Sequence, residues 1–196
     1  MNEKKISAIV LAGGYSSRMG KNKAELCLNG ERLVDIQINK MRSLGIEDIM
    51  LSGYAEEIPG TRLIPDVFPH RGPVSGLHAC LKEAKNPACI VLSVDVPLVP
   101  ADALRQLIAS HDNGATMLIH EGKYEPLMAV YDSALYKTAE GLLQGEKASV
   151  MKLAYSSGFK TLEYTGDSAL LSNCNTPEDF ERVKQISCSY RPDSDL

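Results

Sequence analysis

The chain has 196 residues, of which 44% are hydrophobic and 23% are charged, a composition typical of a globular protein. Its formal net charge of −4 gives no basis for bulk attraction to nucleic acid or to an anionic membrane, so we expect neither as a partner. No stretch approaches the roughly 20 apolar residues of a membrane span, and the first apolar run is too short for a signal peptide.

The five cysteines form no CxxC pair, and with four scattered histidines they give no zinc-binding pattern. Their odd number leaves at least one thiol unpaired. We therefore predict reduced, mostly buried cysteines and a cytoplasmic protein.

Apolar runs and helical patterns alternate along the first half of the chain. The run Ile6–Ala12 is rich in Ile and Val and predicts a buried strand. The pair Asn29-Gly30 predicts a hairpin turn, and the helical pattern that follows stops at Gly45. Further strands are predicted in DIMLSG, TRLIPD and CIVLSV (89–94), with a helix after PHRGPVSG.

The second half opens with a helix from Pro100, placed in the first turn, to His111. The segments ATMLIH and PLMAVY flank EGKYE and predict two antiparallel strands, and FKTLEY predicts another strand. The last helix begins at TPED, where Thr176 caps it and Asp179 completes a capping-box-like start. Two more helices are predicted over Ser133–Leu143 and Ser149–Ser157.

Alternation of strands and helices predicts an α/β protein with a mainly parallel, mixed sheet and helices on both of its faces. We see no internal repeat and no linker, so we expect a single domain over residues 1–188 and a frayed tail over 189–196.

The segment VLAGGYSSRMGKNKAEL (10–26) follows the first predicted strand, where open α/β sheets bind ligands. Glycines let the backbone approach a ligand, and successive N–H groups bind anions. The polar groups of the segment are those of Ser16, Ser17, Arg18, Lys21 and Lys23. Two hydroxyls and three cations beside Gly13 and Gly14 favour a phosphate-binding loop over a plain strand-to-helix turn with solvated basic residues.

The loop matches none of three well-known phosphate motifs. The spacing from Gly14 to Gly20 is one residue too long for a Walker loop, and Asn22 stands where Ser or Thr is needed. The Rossmann fingerprint and the kinase glycine-rich loop are absent as well. We therefore predict a phosphate loop of another kind.

Polar residues elsewhere complete a candidate site. Asp95 follows a buried strand directly and is the candidate ligand for Mg²⁺, which takes one or two protein carboxylates with phosphate oxygens. Asp66 is placed similarly after a shorter apolar run, and Gly76, near a predicted helix start, allows close approach of a base or phosphate. Asn173 and Asn175 precede the last helix. The two aspartates and the two asparagines also have a purely structural interpretation as cap or turn residues.

The motifs LAGGYSSRMGKNKAEL, PD, RGPVSGL, SVDVPLVP and NCNTPED, in this order over residues 6–186, resemble the MobA-type molybdenum cofactor guanylyltransferases. The resemblance implies a Rossmann-like, three-layer α/β/α nucleotidyltransferase fold. It also implies transfer of GMP from GTP to molybdopterin, with Mg²⁺, and a possible transient complex with molybdenum cofactor insertion proteins.

The resemblance also assigns roles to the candidate residues. Leu11, Ala12, Gly13 and Gly14 would border guanine and phosphates, Arg18 and Lys23 would contact phosphates, and Asp66 and Gly76 would lie near the nucleotide. Asp95 would hold Mg²⁺ and bind the nucleotide, and Asn173 and Asn175 would line the molybdopterin side. Arg18, Lys23 and Asp95 are the candidate catalytic residues.

The sequence departs from the family pattern at three places, one of which is His70-Arg71, where glycine is more usual before the Gly-Pro pair, and two rival functions are left open. The chain reads RMGKNK where relatives often have another glycine or an aspartate before the lysine, and Ser52-Gly53 replaces a common asparagine. One rival is a cytidylyltransferase or a sugar- or polyol-phosphate nucleotidyltransferase, although Leu11-Ala12-Gly13-Gly14 favours guanine over the Leu-Ala-Ala-Gly of cytidylyl relatives. The other is a nucleotide-binding escort module without catalysis.

Overall fold

The computed structural model describes residues 5–13, 22–145 and 147–190 of the chain. Its strands are β1 (Ile6–Leu11), β2 (Cys27–Leu28), β3 (Glu31–Arg32), β4 (Ile49–Ser52), β5 (Arg62–Ile64), β6 (Ala88–Ser93), β7 (Ala115–His120), β8 (Lys123–Asp132) and β9 (Phe159–Glu163). Its α-helices are α1 (Leu33–Ser43), α2 (Pro73–Glu83), α3 (Ala101–Ser110), α4 (Tyr136–Gln144), α5 (Val150–Ser157) and α6 (Pro177–Ser189).

Seven of these strands form one sheet in the order β5-β4-β1-β6-β8-β7-β9. Only β8 in this sheet runs antiparallel to its neighbours, so the predicted mainly parallel, mixed sheet is confirmed. The chain runs outward from β1 through β4 to β5 and then returns to place β6 on the other side of β1. Ligands of open α/β sheets bind at such a switch point, outside the carboxyl ends of the strands.

Helices cover both faces of the sheet because the buried strands are apolar on both sides. In β1, Ala8 and Val10 pack into the layer of α1, α3 and α6, whereas Ile9 and Leu11 pack into the layer of α2, α4 and α5. The predicted three-layer α/β/α architecture is therefore confirmed.

The predicted elements are present, with shifts at their ends. The hairpin turns at Asn29 and Gly30, which have φ of 53° and 87°, and Thr176 and Asp179 form the expected capping box of α6. Pro100 is the N-cap of α3 rather than a residue of its first turn.

The largest difference is at the start of β8, which begins at Lys123, so most of EGKYE is strand and not a connection. At the C-terminal end, α6 includes Ser189, which was expected to belong to the frayed tail. Residues 191–196 lie outside the described part of the chain.

Three of the five cysteines, Cys80, Cys89 and Cys174, are buried, whereas Cys27 and Cys188 are exposed, and none of the five forms a disulfide. Among the described residues, no helix is long and apolar enough to cross a membrane.

The loop after β6 is held in place by a buried side chain of α1. Gln37 is fully buried, and its Nε2 donates to the backbone oxygens of Ser93 at 2.9 Å and Val96 at 3.0 Å. These two carbonyls lie on either side of Asp95 along the chain. One amide therefore fixes the path of the segment that carries the candidate metal ligand.

Lys40 follows one turn later on α1 and holds the next residues of the same loop. Its Nζ donates to the backbone oxygen of Pro97 at 2.9 Å. Burial lowers the pKa of the Lys40 ammonium to about 7. Lys40 therefore anchors this loop at a cost in folding free energy, because folding disfavours the charged form of its side chain.

Gln37→Met keeps the shape of the side chain but removes both hydrogen bonds. Because Ser93 and Val96 would lose their donor in a buried place, we expect the free energy of unfolding to fall by about 1–3 kcal/mol. Urea denaturation measures this change. The control is Asn39→Ala, since Asn39 is an exposed residue of the same helix that contacts Glu31 at the surface. Equal stability of both variants would contradict the role given to Gln37.

Lys40→Met should change how stability depends on pH. A lysine in the unfolded chain titrates near pH 10.4, so between about pH 7 and pH 10 the unfolded state binds a proton that the folded state does not. The contribution of Lys40 to stability is therefore lowest below about pH 7 and rises through this window. We expect the wild-type free energy of unfolding to increase relative to the variant between pH 6 and pH 9.5. A difference that does not depend on pH would contradict the lowered pKa.

Candidate active site

The site lies at the carboxyl ends of β1, β4 and β6, where the backbone is tightly paired. Ala12 N donates to the oxygen of Ser52 at 2.9 Å, and Val94 N donates to the oxygen of Leu11 at 3.1 Å. Leu11 and Ala12 are buried, and Gly13 is exposed at the end of this pairing. The loop that starts at Gly13 therefore leaves the sheet between two fixed neighbours. Of its predicted site residues, Gly14 and Arg18 lie outside the described residues.

Glycine is required at two positions where the loops after β1 and β4 touch. A Cβ on Gly53 would lie 2.3 Å from the Cα of Gly13, and a Cβ on Gly13 would lie 3.0 Å from the Cα of Gly53. Gly53 also has a φ of +75°, which disfavours other residues. Gly53 thus brings the backbone of one loop against the other.

A lysine lies between an acidic and an amide side chain at the same edge. Lys23 Nζ donates to Asn175 Oδ1 at 2.7 Å and lies 4.0 Å from Asp95 Oδ2. The side chains of Lys23 and Asp95 are 15% and 21% exposed, so this contact is partly shielded from water. Residues from three distant segments meet here, as the sequence predicted for Lys23, Asp95 and Asn175.

Local structure explains why each member of this group is held in place. Lys23 begins a short 3-10 turn whose first N–H groups are capped by Asn22. Cys174 N donates to the backbone oxygen of Asp95 at 2.7 Å, which ties the loop before α6 to the loop after β6. The capping box of α6 starts directly after Asn175. Helix caps and backbone hydrogen bonds therefore help to position the polar groups.

The oxygen donors present fit a magnesium ion. The amide oxygen of Asn175 and the carboxylate of Asp95 already share one cation, the Lys23 ammonium. Within the described ranges, no group of three or more His, Cys, Asp and Glu side chains could hold a metal. Mg²⁺ commonly uses one or two protein carboxylates and takes its other ligands from substrate phosphates and water, and Asp95 can supply the carboxylate.

Asp66 and Gly76 are arranged differently from the predicted close contacts. The exposed Asp66 carboxylate accepts a hydrogen bond from Ser52 Oγ at 3.0 Å, so it stands over the end of β4. Gly76 is buried, and a Cβ there would meet Ser52 Oγ at 2.1 Å and Leu11 Cδ2 at 3.2 Å. Packing of α2 on the sheet therefore accounts for this glycine, and its nearness to a nucleotide stays a prediction.

Two adjoining cavities open on the other side of Asp95. The smaller, of about 130 Å³, is lined by Ser93, Asp95, Val96, Glu125, Pro126, Leu127, Met128 and Asn173. The larger, of about 380 Å³, is lined by His120, Glu121, Lys123, Glu125, Ser168, Leu171, Ser172, Asn173, Asn175, Asp179 and Arg182. Asn173 and Glu125 line both cavities, and Asn173 shares the smaller one with Asp95.

Glu125 is a site residue that the sequence analysis missed. Its segment was treated as the connection between two strands, whereas it belongs to β8. The signal that could have identified it is a charged residue next to Pro126 directly before an apolar strand.

The switch point of the sheet and the carboxylate that follows β6 place the candidate site where open α/β sheets bind ligands. A family model for the MobA-like NTP transferase domain matches residues 8–157. The chain belongs to this family.

Known relatives agree with this assignment over nearly the whole chain. A probable molybdenum cofactor guanylyltransferase of Carboxydothermus hydrogenoformans is 30% identical over 192 residues, covering 92% of this chain and 96% of that protein. The molybdenum cofactor guanylyltransferase of Xanthomonas euvesicatoria pv. vesicatoria is 30% identical over 181 residues, covering 90% and 93%. The crystal structure of molybdopterin-guanine dinucleotide biosynthesis protein A from Archaeoglobus fulgidus has the same fold, with a TM-score of 0.77 at 23% identity, covering 94% of this chain and all of that one.

Gly53→Ala should disturb the nucleotide loop through the contact with Gly13. Because the new Cβ would overlap the Gly13 backbone, we expect affinity for a Mg²⁺–nucleoside triphosphate to fall on the order of 10²-fold, measured by isothermal titration. The matched control is Gly45→Ala, since Gly45 has a φ of +76° but nothing within 4 Å of its Cβ position. That variant should lose stability but keep its nucleotide affinity. Equal losses of affinity in the two variants would contradict the packing argument.

Proposed function

We propose that this protein transfers GMP from GTP to molybdopterin and releases pyrophosphate, so that molybdopterin guanine dinucleotide is formed. The observation that carries the proposal is the contact of Lys23 with Asp95 and Asn175 at the carboxyl edge of the sheet. In this contact, a cation and the carboxylate that we propose as the metal ligand lie between the end of β1 and the two cavities. The names of the relatives, molybdenum cofactor guanylyltransferases, support the choice of substrates.

The two substrates would bind on opposite sides of Asp95. The loops after β1 and β4, with Gly13, Gly53 and Asp66, form the nucleotide side. The cavities lined by Asn173 and Glu125 form the acceptor side. The α-phosphate of the nucleotide and the phosphate of the acceptor then meet beside Asp95 and Lys23.

The reaction needs charge neutralisation more than a base. The acceptor phosphate is already an anion and a sufficient nucleophile, so the main barrier is the repulsion between two polyanions. An acceptor oxygen attacks the α-phosphorus in line, the bond from that phosphorus to the bridging oxygen breaks, and pyrophosphate leaves. Lys23 and Arg18 stabilise the charge that develops on the leaving group, and positioning by the flanking loops supplies the rest of the rate.

Mg²⁺ would be held by Asp95, with Asn175 beside it, and would neutralise phosphate charge when bound. Lys23 would exchange its contact with Asn175 for one with a phosphate when the nucleotide enters. This exchange needs only a rotamer change, because the lysine side chain is long and flexible.

Asp95→Asn removes the charge of the candidate metal ligand but keeps the size of the side chain. We expect turnover to fall by about 10²-fold or more and the half-saturating Mg²⁺ concentration to rise, because the carboxylate is the strongest oxygen donor of the site. Pyrophosphate release is measured with Mg²⁺, molybdopterin and GTP, CTP, ATP or UTP in turn. The control is Asp102→Asn, since the Asp102 side chain is 81% exposed and pairs with Arg105 on the surface of α3.

The same assay separates the proposal from its rivals. Dinucleotide formed from GTP alone supports the proposed reaction, whereas product from CTP would make the protein a cytidylyltransferase. Product with a sugar or polyol phosphate but not with molybdopterin would contradict the acceptor. Binding of GTP without release of pyrophosphate would indicate the non-catalytic escort module. Full activity of Asp95→Asn would overturn the metal assignment.

A further inference from the structure

We propose that Glu125 selects the acceptor by accepting hydrogen bonds from the aminopyrimidinone edge of a pterin ring. This inference rests on the proposed function and assigns a residue to the part of the acceptor that is remote from its phosphate. In the proposed reaction, Lys23 and Asp95 act at the phosphates, so neither of them determines which ring the acceptor carries.

A break in the sheet places Glu125 at the site. The pairing of β7 with β8 jumps from Met117 opposite Ala129 to Leu118 opposite Glu125, so that Pro126–Met128 have no partner in β7, although Met128 stays paired with Leu92 of β6. Bulges of this kind redirect side chains and are common beside active sites. Glu125 directly precedes the skipped residues along β8, is paired with Leu118, and lines the smaller cavity together with Asp95 and Asn173.

The side chain of Glu125 is 13% exposed, and within the described residues its ionic partner is Lys123, whose Nζ lies 2.6 Å from Oε1. The Lys123 side chain is 66% exposed, and such a solvated pair contributes little to stability. The ion pair therefore does not explain why a carboxylate is kept in this partly buried position. A ligand with hydrogen-bond donors does.

Charge excludes the phosphates of both substrates as the group that faces Glu125. Phosphates are anions and would be repelled by the carboxylate in a partly shielded cavity. An ionised carboxylate is an acceptor only, with two oxygens, and it pairs best with two parallel N–H donors. A pterin presents such a pair in its ring N3–H and its exocyclic 2-amino group.

The position of β8 assigns the carboxylate to the acceptor and not to guanine, which has a similar donor edge. In the sheet, β8 lies beyond β6, whereas β1 and β4, which carry the nucleotide side, lie on the opposite side of β6. Glu125 also lines the larger cavity, beside Asn173 and Arg182. A pterin ring placed in the larger cavity would leave its phosphate directed through the smaller one toward Asp95.

The test compares two fluorescent acceptor probes, neopterin 3′-monophosphate and the lumazine of the same side chain, in which an oxygen replaces the 2-amino group. Binding to the full chain is followed by fluorescence titration for wild type, Glu125→Gln and Glu125→Ala. We expect wild type to bind the pterin about tenfold more tightly than the lumazine, because the lumazine turns an acceptor toward the carboxylate. Glu125→Gln should abolish this preference and leave GTP affinity within twofold of wild type.

The matched control is Glu121→Gln, since Glu121 lines the same larger cavity but its side chain is 80% exposed. This variant should keep the preference for the pterin. A preference retained by Glu125→Gln, or a wild type without one, would overturn the proposal. A loss of GTP affinity would assign Glu125 to the nucleotide base, and a raised half-saturating Mg²⁺ concentration would assign it to the metal, and each of these also overturns it.

Turnover distinguishes this inference from the function on which it rests. If wild type uses molybdopterin but Glu125→Gln keeps its KM for molybdopterin, only the role of Glu125 fails. If wild type uses a sugar phosphate and not molybdopterin, the proposed function fails as well. The expected result is a KM for molybdopterin raised about tenfold in Glu125→Gln, with the KM for GTP unchanged.

Discussion

The position of one carboxylate depends on hydrogen bonds that its backbone neighbours accept from distant parts of the chain. Gln37 and Lys40 of α1 donate to carbonyls before and after Asp95, and Cys174 N donates to the carbonyl of Asp95 itself. A loop at the end of a parallel strand has no ladder partners of its own, so its carbonyls must be satisfied by other elements. Here those elements are the helix after the nucleotide loop and the segment that carries the acceptor-side amides. The two sides of the site are thereby joined through the backbone of the Asp95 loop.

Charge is arranged locally, against the overall charge of the chain. A protein with a net charge of −4 repels polyanions at long range, so the two phosphorylated substrates that we propose would have to be bound through contacts made inside the site. Lys23 is the cation placed for this among the described residues at the Asp95 edge, and its present partners are an amide and a carboxylate. The acidic groups near this edge are Asp95, which pairs with Lys23, and Glu125, which we propose accepts hydrogen bonds from a neutral ring. In this proposal, the residues that contact phosphate are separate from the residue that recognises the ring.

Much of the fold could be predicted because it follows from local patterns. The apolar run of β1, the Asn29-Gly30 turn and the capping box at Thr176 are encoded within a few residues, and the structure has all three. Ends of strands in a parallel sheet lie on one edge, so the meeting of Lys23 with Asp95 could be predicted as well.

What the sequence could not give depends on contacts between distant segments. Gln37 occupies a core position in a helical pattern, and only the loop 56 to 59 residues away shows why a polar side chain stands there. The contact of Gly76 with Ser52 and Leu11, which leaves no room for a side chain, joins residues far apart in the chain and could not be predicted from the segment around Gly76. Glu125 was not identified because its segment was interpreted as the connection between two strands, whereas β8 already begins at Lys123.

The measurement that tests the central claim most directly follows the α-phosphate and the γ-phosphate of GTP in two parallel reactions. The full-length protein is incubated with Mg²⁺ and molybdopterin, once with GTP labelled on the α-phosphate and once with GTP labelled on the γ-phosphate. The account predicts that the α label enters the dinucleotide and that the γ label leaves in pyrophosphate. Release of the γ label as inorganic phosphate, with no α label in the dinucleotide, would show hydrolysis instead of nucleotidyl transfer and would contradict it.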